Sequence, residues 1–418
     1  MNNDYLIFNF SHKKQNKIYF GKNFEESPYI DNNKLYFPKK IILKHLGNST
    51  LIENEDNKKL IPQKENKDYR EKEILAILNT KEPKGLPNIG GICYMNALLQ
   101  CFYYCWPMTF YFLNLDEESK ERLGTISRGY YNFVNDLYSG NYNPALKFKD
   151  AIMKIDKSFI GNEGKDSKDL AILTLSEINQ DLKPNINSVI YSDKVESNLY
   201  DKLSVYKEKL ELDKINNNSN IISKTFFYDI LYEQQCESSF KCEYYKTSYD
   251  VQTDNIIIFE IEKIYNNIRK GYSSKPSLTI QDCLESYSKE EIIVCPFCSI
   301  KTLKMKKYIC SLPEIFVFVM SRGRNAKFKC KINFTKEIDM NNFYYPIDNS
   351  YRTYDTKYEL IGATLAIDWS KGFGHTIAFC KTYKNNDYYI FNDSRAWKVD
   401  FSKIKDDIPY ILFYQKKK

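Results

Sequence analysis

Residues 85–105 of this 418-residue chain read GLPNIGGICYMNALLQCFYYC, and this stretch decides the fold. Glycines and a proline dominate its first seven positions, which is typical of an irregular loop. From Cys93 onward apolar residues recur at the spacing of one helix face, and Pro107 is expected to end that helix. Cys93 is therefore predicted at a loop-to-helix junction, where free backbone N–H groups and the helix dipole favour a thiolate.

Two interpretations of Cys93 follow from its position alone. A cysteine at a helix start is most often a small buried residue of the core. The same position also suits a nucleophilic cysteine, because the thiolate is the reactive form. The neighbouring residues decide between them.

The stretch resembles the cysteine box of the ubiquitin-specific proteases, which carries the catalytic cysteine at the start of a long helix. The positions in register are Gly85, Leu86, Asn88, Gly90, Cys93, Tyr94, Met95, Asn96, Leu99 and Gln100. Gly91, Ile92 and Ala97 depart from the commonest form, but none of these positions carries a nucleophile or a proton. The resemblance implies that Cys93 is the nucleophile and that Asn88 donates to the oxyanion formed on the substrate carbonyl.

Composition describes a globular chain that is long enough for two or three domains, with 43% hydrophobic and 15% aromatic residues. No signal-peptide pattern opens the chain, and its apolar segments are too short to span a bilayer. Its eleven cysteines are therefore expected to be reduced thiols. The 61 basic and 54 acidic residues are interspersed, so the net charge of +7 predicts no nucleic-acid site. We expect a cytoplasmic or nuclear protein without a membrane or nucleic-acid partner.

Residues 1–84 lie outside the resemblance. Short strands are predicted at residues 5–10, 17–20 and 34–37, whereas the charged stretch from Glu53 to Glu73 lacks apolar periodicity. The interpretation is a β-rich extension followed by a solvated linker, and no function is predicted for it.

The second chemical element is Gly372-Phe373-Gly374-His375, followed by YYIFNDS at residues 388–394. A histidine in a β region is commonly structural. The other two histidines of the chain, His12 and His45, lie in the N-terminal region, so a base for Cys93 would be His375. Asn392 follows His375 by 17 positions, which is enough for a hairpin that returns the amide to the ring.

These residues resemble the histidine box of the same family. The resemblance implies that His375 is the base, that Asn392 orients its ring, and that Asp393 is an acidic neighbour. Asp393 could also supply the orienting contact itself, since a local twist can change which side chain meets the ring.

Helices are predicted at residues 118–138 and 146–155, with a further helical pattern from Leu199 to Leu210. Between them, GKDSKDL at residues 164–170 precedes an apolar helix. Asp166 can be a helix cap on dipole grounds alone. The segment also resembles the family's second box, which implies that Asp166 and Asp169 bind arginines near the ubiquitin C-terminus, although Lys165 replaces the usual glutamine.

From Phe226 onward the pattern turns to β-structure. The Cys295-Pro296-Phe297-Cys298 turn has the bite to place two thiolates on one tetrahedral metal. Cys236 and Cys242 would complete such a site, but their separation is irregular. A four-cysteine zinc site and a metal-free finger are both open.

The prediction for residues 85–416 is an α+β, papain-like cysteine protease fold with a helical thumb (about 85–215), β fingers (about 226–315) and a β palm. The resemblance implies a deubiquitinase that cleaves the bond at the ubiquitin C-terminal glycine through an acyl-enzyme on Cys93. Catalysis needs no cofactor, and a structural zinc is an option. The alternatives are a catalytically silent ubiquitin-binding protein of the same fold, a protease for a ubiquitin-like modifier, and a zinc-dependent binding module.

Overall fold

The computed structural model describes residues 5–9, 29–31, 34–38, 63–161, 164–183, 220–237, 248–269, 277–295, 298, 302–323, 328, 330–345, 355–367, 374–404 and 408–417. The chain forms two compact units: residues 1–66 with 184–218, and residues 67–183 with 219–418. In the first unit, an antiparallel sheet of order β1-β3-β2 contains β1 (Tyr5–Asn9), β2 (Tyr29–Asp31) and β3 (Lys34–Pro38). The strand predicted at 17–20 and the helix predicted at 199–210 lie outside the described residues.

Helices lead the second unit. In chain order they are α1 (Gln63–Thr80), α2 (Cys93–Tyr103), α3 (Trp106–Leu113), α4 (Glu117–Glu121), α5 (Thr125–Ser139), α6 (Pro144–Ile155), α7 (Ser167–Asp181), α8 (Ile221–Phe226), α9 (Ile261–Arg269) and α10 (Ile280–Ser288). The thumb helices predicted from periodicity correspond to α4 through α6. No helix in the described part of the chain combines the length and apolar character needed to cross a membrane.

The described strands of this unit form a large sheet, a smaller four-stranded sheet and a two-stranded pair. They are β4 (Tyr228–Cys236), β5 (Ser248–Asp254), β6 (Ile257–Glu260), β7 (Ser277–Thr279), β8 (Glu291–Val294), β9 (Thr302–Ile309), β10 (Ile315–Ser321), β11 (Lys331–Asn333), β12 (Glu337–Asp339), β13 (Lys357–Ile367), β14 (His375–Lys381), β15 (Tyr388–Asn392), β16 (Arg395–Lys398) and β17 (Ile408–Lys416). The large sheet has the order β16-β15-β14-β13-β17-β10-β6, with β12 on β13. The smaller sheet, of order β5-β4-β9-β8, occupies the predicted fingers, and β7 pairs with β11.

The large sheet is buried on both faces, which explains the continuous apolar runs in its central strands. Along β10, Val317 and Val319 pack into the core shared with α2, whereas Phe316 and Phe318 pack into a second core on the opposite face. Helix α2 lies in the first core, and its residues from Tyr94 to Tyr103 are all buried. The sheet therefore gives α2 a rigid support.

Two expectations about helix limits are wrong. Helix α2 ends at Tyr103, ahead of Pro107, which lies instead in the first turn of α3, where its missing N–H costs nothing. The stretch from residue 63 to 73 is helical and not a linker, and the second unit begins at Lys67. The reason is that Ile74 and Leu78, four residues apart on one helix face, are buried in the core.

The hairpin formed by β14 and β15 brings distant residues to one end. The strands pair antiparallel, with Ala378 opposite Phe391. Their connection uses Asn385 and Asn386 with positive φ of 54° and 56°, which asparagine tolerates in tight hairpins. As a result His375, the first residue of β14, and Asn392, the last of β15, lie at the same end of the hairpin.

The loop before α2 passes against that end of the hairpin. The Leu86 N–H donates to the Asp393 carbonyl oxygen at 2.7 Å. A Cβ on Gly85 would lie 2.2 Å from that oxygen and 2.4 Å from the carbonyl carbon of Ser394. The obstructing atoms belong to the backbone, so only glycine permits this approach.

We predict that Gly85→Ala destabilises the protein by about 1–3 kcal/mol, because two backbone segments must separate to admit the methyl group. Thermal unfolding measures the effect. Gly164→Ala is the matched control, since a Cβ at that residue would have no atom within 4 Å. Equal melting temperatures for the two variants would refute the close-approach argument.

Candidate active site

Three elements bring Cys93, His375 and Asn392 to one place. Cys93 begins α2, as predicted, and a hydrogen bond from the backbone of Thr376, the residue after His375, reaches its sulfur. His375 Nε2 lies 2.7 Å from Asn392 Oδ1. The start of α2 and one end of the hairpin therefore form a single site.

The contact with Asn392 determines how the His375 ring is used. An amide oxygen only accepts hydrogen bonds, so Nε2 carries a proton when it meets Asn392 Oδ1. The other ring nitrogen, Nδ1, is then the basic one in the neutral ring. This leaves Nδ1 as the nitrogen that can exchange a proton with the Cys93 thiol.

Asp393 also faces the site. Its Oδ2 lies 3.6 Å from His375 Nε2, farther than the amide oxygen of Asn392. A φ of 48° at Asp393 turns the chain, so consecutive side chains reach the same side and the usual alternation of a strand is lost. The distances favour Asn392 as the direct partner of the ring, with Asp393 as a nearby negative charge.

Asn88 is held by two contacts. Its Oδ1 accepts from the Ile92 N–H at 2.9 Å, and its Nδ2 donates to Asp393 Oδ2 at 3.0 Å. A side-chain amide has two N–H groups, so one remains for a further acceptor. An exposed donor held in a fixed plane near a helix start is suited to bind a developing negative charge.

Asn96 is a site residue that sequence reasoning did not assign. It is 3% exposed, and its Nδ2 lies 3.0 Å from Asp393 Oδ1 and 3.1 Å from the Leu86 carbonyl oxygen. Asp393 thus accepts from Asn96 and Asn88 through its two oxygens. The available signal was an asparagine on the apolar face of the helix, three residues after Cys93.

The surroundings of Cys93 change the pKa of its thiol in both directions. Burial raises the pKa above its ordinary value, and the negative charge of Asp393 raises it further. Backbone hydrogen bonds from Thr376, Tyr94 and Cys93 itself lower the pKa but do not compensate. The net direction is upward, opposite to the one expected from the helix start alone.

Asp166 and Asp169 have different surroundings. Asp166 caps α7 by accepting from the Lys168 N–H at 2.8 Å, which confirms the helix-cap interpretation. It also accepts from the Tyr410 hydroxyl at 2.5 Å, and burial together with this carboxylate raises the pKa of Tyr410 well above its usual range. Asp169 is exposed and lies 3.3 Å from Lys168 Nζ. Their predicted contact with a partner's arginines stays a prediction.

Three of the four cysteines predicted as metal ligands come together. The sulfurs of Cys236, Cys295 and Cys298 lie within 4.8 Å of one another, with Cys236 at the end of β4 and Cys295 directly after β8. Cys242 lies outside the described residues. Three converging thiols, two of them buried, fit three corners of a tetrahedral zinc site.

Comparison with known proteins identifies relatives. A family model described as ubiquitin carboxyl-terminal hydrolase matches residues 84–414. "Ubiquitin carboxyl-terminal hydrolase 2" of Bos taurus is 23% identical over 371 residues, covering 81% of this chain but only 56% of the relative. The protein of the same name from Gallus gallus is 24% identical, covering 79% of this chain and 92% of the relative. The chain thus spans little more than half the length of the bovine relative.

Solved structures share the fold. The SAGA Ubp8/Sgf11/Sus1/Sgf73 DUB module bound to ubiquitin aldehyde contains a chain with a TM-score of 0.56 and 18% identity, covering 82% of this chain and 71% of that one. A yeast SAGA DUB module with an Sgf73 mutant gives a TM-score of 0.57 and 20% identity, covering 82% and 70%. This likeness confirms the predicted α+β, papain-like fold.

Proposed function

The chain belongs to the ubiquitin carboxyl-terminal hydrolase family, and from that premise we propose that it is a thiol-dependent deubiquitinase. Its reaction would be hydrolysis of the peptide or isopeptide bond at the C-terminal glycine of ubiquitin, through an acyl-enzyme on Cys93. The observation that carries the proposal is the juxtaposition of the Cys93 thiol with the strand that begins at His375, whose ring contacts Asn392.

The first step is attack on the substrate carbonyl. Nδ1 of His375 takes the proton of Cys93 as the sulfur bonds to the carbonyl carbon, because the raised thiol pKa keeps the proton on sulfur until then. The ring becomes an imidazolium, which the Asn392 oxygen at 2.7 Å and the Asp393 carboxylate at 3.6 Å stabilise.

The oxyanion that forms needs donors. The free N–H of the Asn88 amide and the backbone N–H of Cys93 at the start of α2 supply them, and Asp393 keeps the amide in place. His375 then protonates the leaving amine, and the tetrahedral intermediate collapses as its C–N bond breaks, which leaves a thioester on Cys93. His375 next activates a water molecule, which hydrolyses the thioester and releases ubiquitin with a free C-terminus.

The alternatives make different predictions. A silent ubiquitin-binding protein would have no need of the contacts that hold His375, Asn392 and Asp393 beside Cys93, and these contacts support the enzyme. A protease for a ubiquitin-like modifier would use the same chemistry on another tail. Action in the cytoplasm or nucleus stays a prediction.

We predict that the chain hydrolyses ubiquitin bearing a C-terminal fluorogenic amide, and that Cys93→Ala abolishes turnover while ubiquitin binding persists. Removing the sulfur deletes the covalent step but not the docking surface. A ubiquitin-like modifier with the same fluorophore tests the alternative substrate. Undiminished turnover by the alanine variant would contradict the proposed mechanism.

We predict that Asn392→Ala lowers kcat on the order of 10- to 1,000-fold with little change in ubiquitin affinity, because the ring loses its orienting acceptor. Asn392→Asp should remain active, since a carboxylate accepts the same bond. Asp393→Ala is the comparison variant in the same assay. If Asp393→Ala is crippled while Asn392→Ala is nearly normal, Asp393 is the orienting residue instead.

Asp166 and Asp169 are proposed to bind arginines near the ubiquitin C-terminus. We predict that Asp166→Asn with Asp169→Asn raises KM about tenfold and changes kcat little, since the loss concerns binding remote from the reacting bond. The amides preserve the helix cap and the Tyr410 contact. Asp116→Asn, at the cap of α4, is the matched control. An unchanged KM would restrict both aspartates to structural roles.

We propose that Cys236, Cys295 and Cys298, with Cys242 as the fourth ligand, hold one structural zinc. Elemental analysis of protein purified without chelator should find about one zinc per chain, and Cys298→Ser should reduce it and lower the melting temperature. Absence of metal from the wild-type protein would favour the metal-free finger. Neither outcome affects the proposed chemistry at Cys93.

A further inference from the structure

The second unit includes a segment that lies outside the matched family region. Residues 67–82, here called the clamp segment, comprise most of α1 together with Lys81 and Glu82, whereas the family match starts at residue 84. Ile74 and Leu78 of this segment are 8% and 5% exposed and belong to the same hydrophobic core as α2. The segment is therefore an integral part of this unit.

The clamp segment contacts the start of α3, which follows the end of α2 directly, and the turn of the hairpin. Glu71 accepts a hydrogen bond from Nε1 of Trp106, the first residue of α3. Asn79 Oδ1 accepts from the backbone N–H of Asn385 in the hairpin turn at 2.7 Å. Glu82 forms an ion pair with Lys384 in the same turn. The segment thus holds both elements at once.

An aromatic cluster joins the two elements at this remote end. The Tyr383 ring lies 5.9 Å from that of Tyr103, 5.1 Å from that of Tyr104 and 5.2 Å from that of Trp106, measured between centroids. The Tyr383 hydroxyl also donates to the Tyr103 carbonyl oxygen at 2.5 Å. Leu78 and Lys81 line a cavity of about 230 Å³ beside these rings. Small shifts of the clamp segment therefore act directly on this junction.

Helix α2 and strand β14 pack against each other and are linked near both ends, by the hydrogen bond from Thr376 to Cys93 and by the ring contact between Tyr103 and Tyr383. Cys93 and Tyr103 terminate the helix, which is about 15 Å long, and His375 begins a strand of about 20 Å that leads to the turn. At the interface between α2 and β14, the sulfurs of Cys101 and Cys380 lie 3.9 Å apart, and both residues are fully buried. If the two elements tilt relative to each other at the remote end, the distance between Cys93 and His375 at the opposite end changes.

We propose that the clamp segment is a positioning element that keeps Cys93 and His375 in register by holding the remote ends of α2 and the β14–β15 hairpin together. The inference rests on the proposed function for its effect on turnover. Its contacts with the hairpin turn, through Asn79 and Glu82, are exposed, so they can be removed without replacing the buried side chains of Ile74 and Leu78.

Ala76→Pro tests the proposal in the full-length chain. Ala76 is exposed in the C-terminal half of α1, and proline removes a helical hydrogen bond there and clashes with the preceding turn. We expect kcat for the fluorogenic ubiquitin substrate to fall about tenfold or more with KM within about twofold, since misplacing reacting groups costs rate more than binding. Ala76→Ser, at the same exposed position, should change neither. The milder pair Asn79→Ala and Glu82→Ala should shift kcat in the same direction.

Thiol labelling gives a readout that is independent of activity. Mass spectrometry after timed alkylation compares Cys101 and Cys380, at the interface between α2 and β14, with Cys283, which is equally buried in the second core. We expect Ala76→Pro to speed labelling of Cys101 and Cys380 and to leave Cys283 protected, since only the interface between α2 and β14 opens.

Three results would overturn the proposal. The first is equally faster labelling of all three cysteines, which would indicate general destabilisation. The second is unchanged protection of Cys101 and Cys380. The third is an unchanged kcat although Cys101 and Cys380 have become exposed. Wild-type protein without turnover would instead refute the proposed deubiquitinase function. In that case the labelling pattern alone decides whether the segment clamps the two elements.

Discussion

The site depends on one contact, between the loop that precedes α2 and Asp393, the residue that follows the β14–β15 hairpin. Asp393 accepts through its backbone oxygen from Leu86 and through its carboxylate from Asn88 and Asn96. These residues are about 300 positions apart in the chain, so their meeting joins the helical and β halves of the fold. Gly85 makes the meeting possible, because a side chain there would collide with the hairpin backbone.

The large sheet explains why that contact can be held firmly. Its central strands are packed on both faces, so β13, β14 and β17 cannot shift without disturbing two cores. Buried polar groups are tolerated in such a setting only when they are hydrogen-bonded. The amide nitrogens of Asn96 and Gln100, on one side of α2, meet this condition by donating to loop carbonyls, and they tie the loop to the helix. The amide oxygens of the same two residues are buried without a hydrogen-bond partner among the described residues.

Partial burial also acts on Cys93. Together with the negative charge of Asp393, it raises the pKa of the thiol despite the favourable helix terminus. A resting thiol is less prone to alkylation or oxidation than a thiolate. In the proposed mechanism, attack by the Cys93 sulfur is therefore coupled to transfer of its proton, which makes the placement of His375 critical. This requirement gives physical meaning to the contacts of Asn392, Asp393 and the clamp segment.

The sequence by itself determined the local elements and the chemical groups. Apolar spacing from Cys93 predicted a helix, alternating strands predicted the β half, and the residue pattern around Cys93 and His375 predicted the family. The tertiary structure alone decided features that depend on many distant neighbours. The raised pKa of Cys93 reflects burial and the approach of Asp393, which no local pattern encodes. Helix α1 escaped prediction because Ile74 and Leu78, which are buried, gain their stabilisation from a surface built by residues far along the chain. Local patterns report short-range preferences, whereas the orientation of a side chain and the free energy of its burial are fixed only when the whole chain has packed.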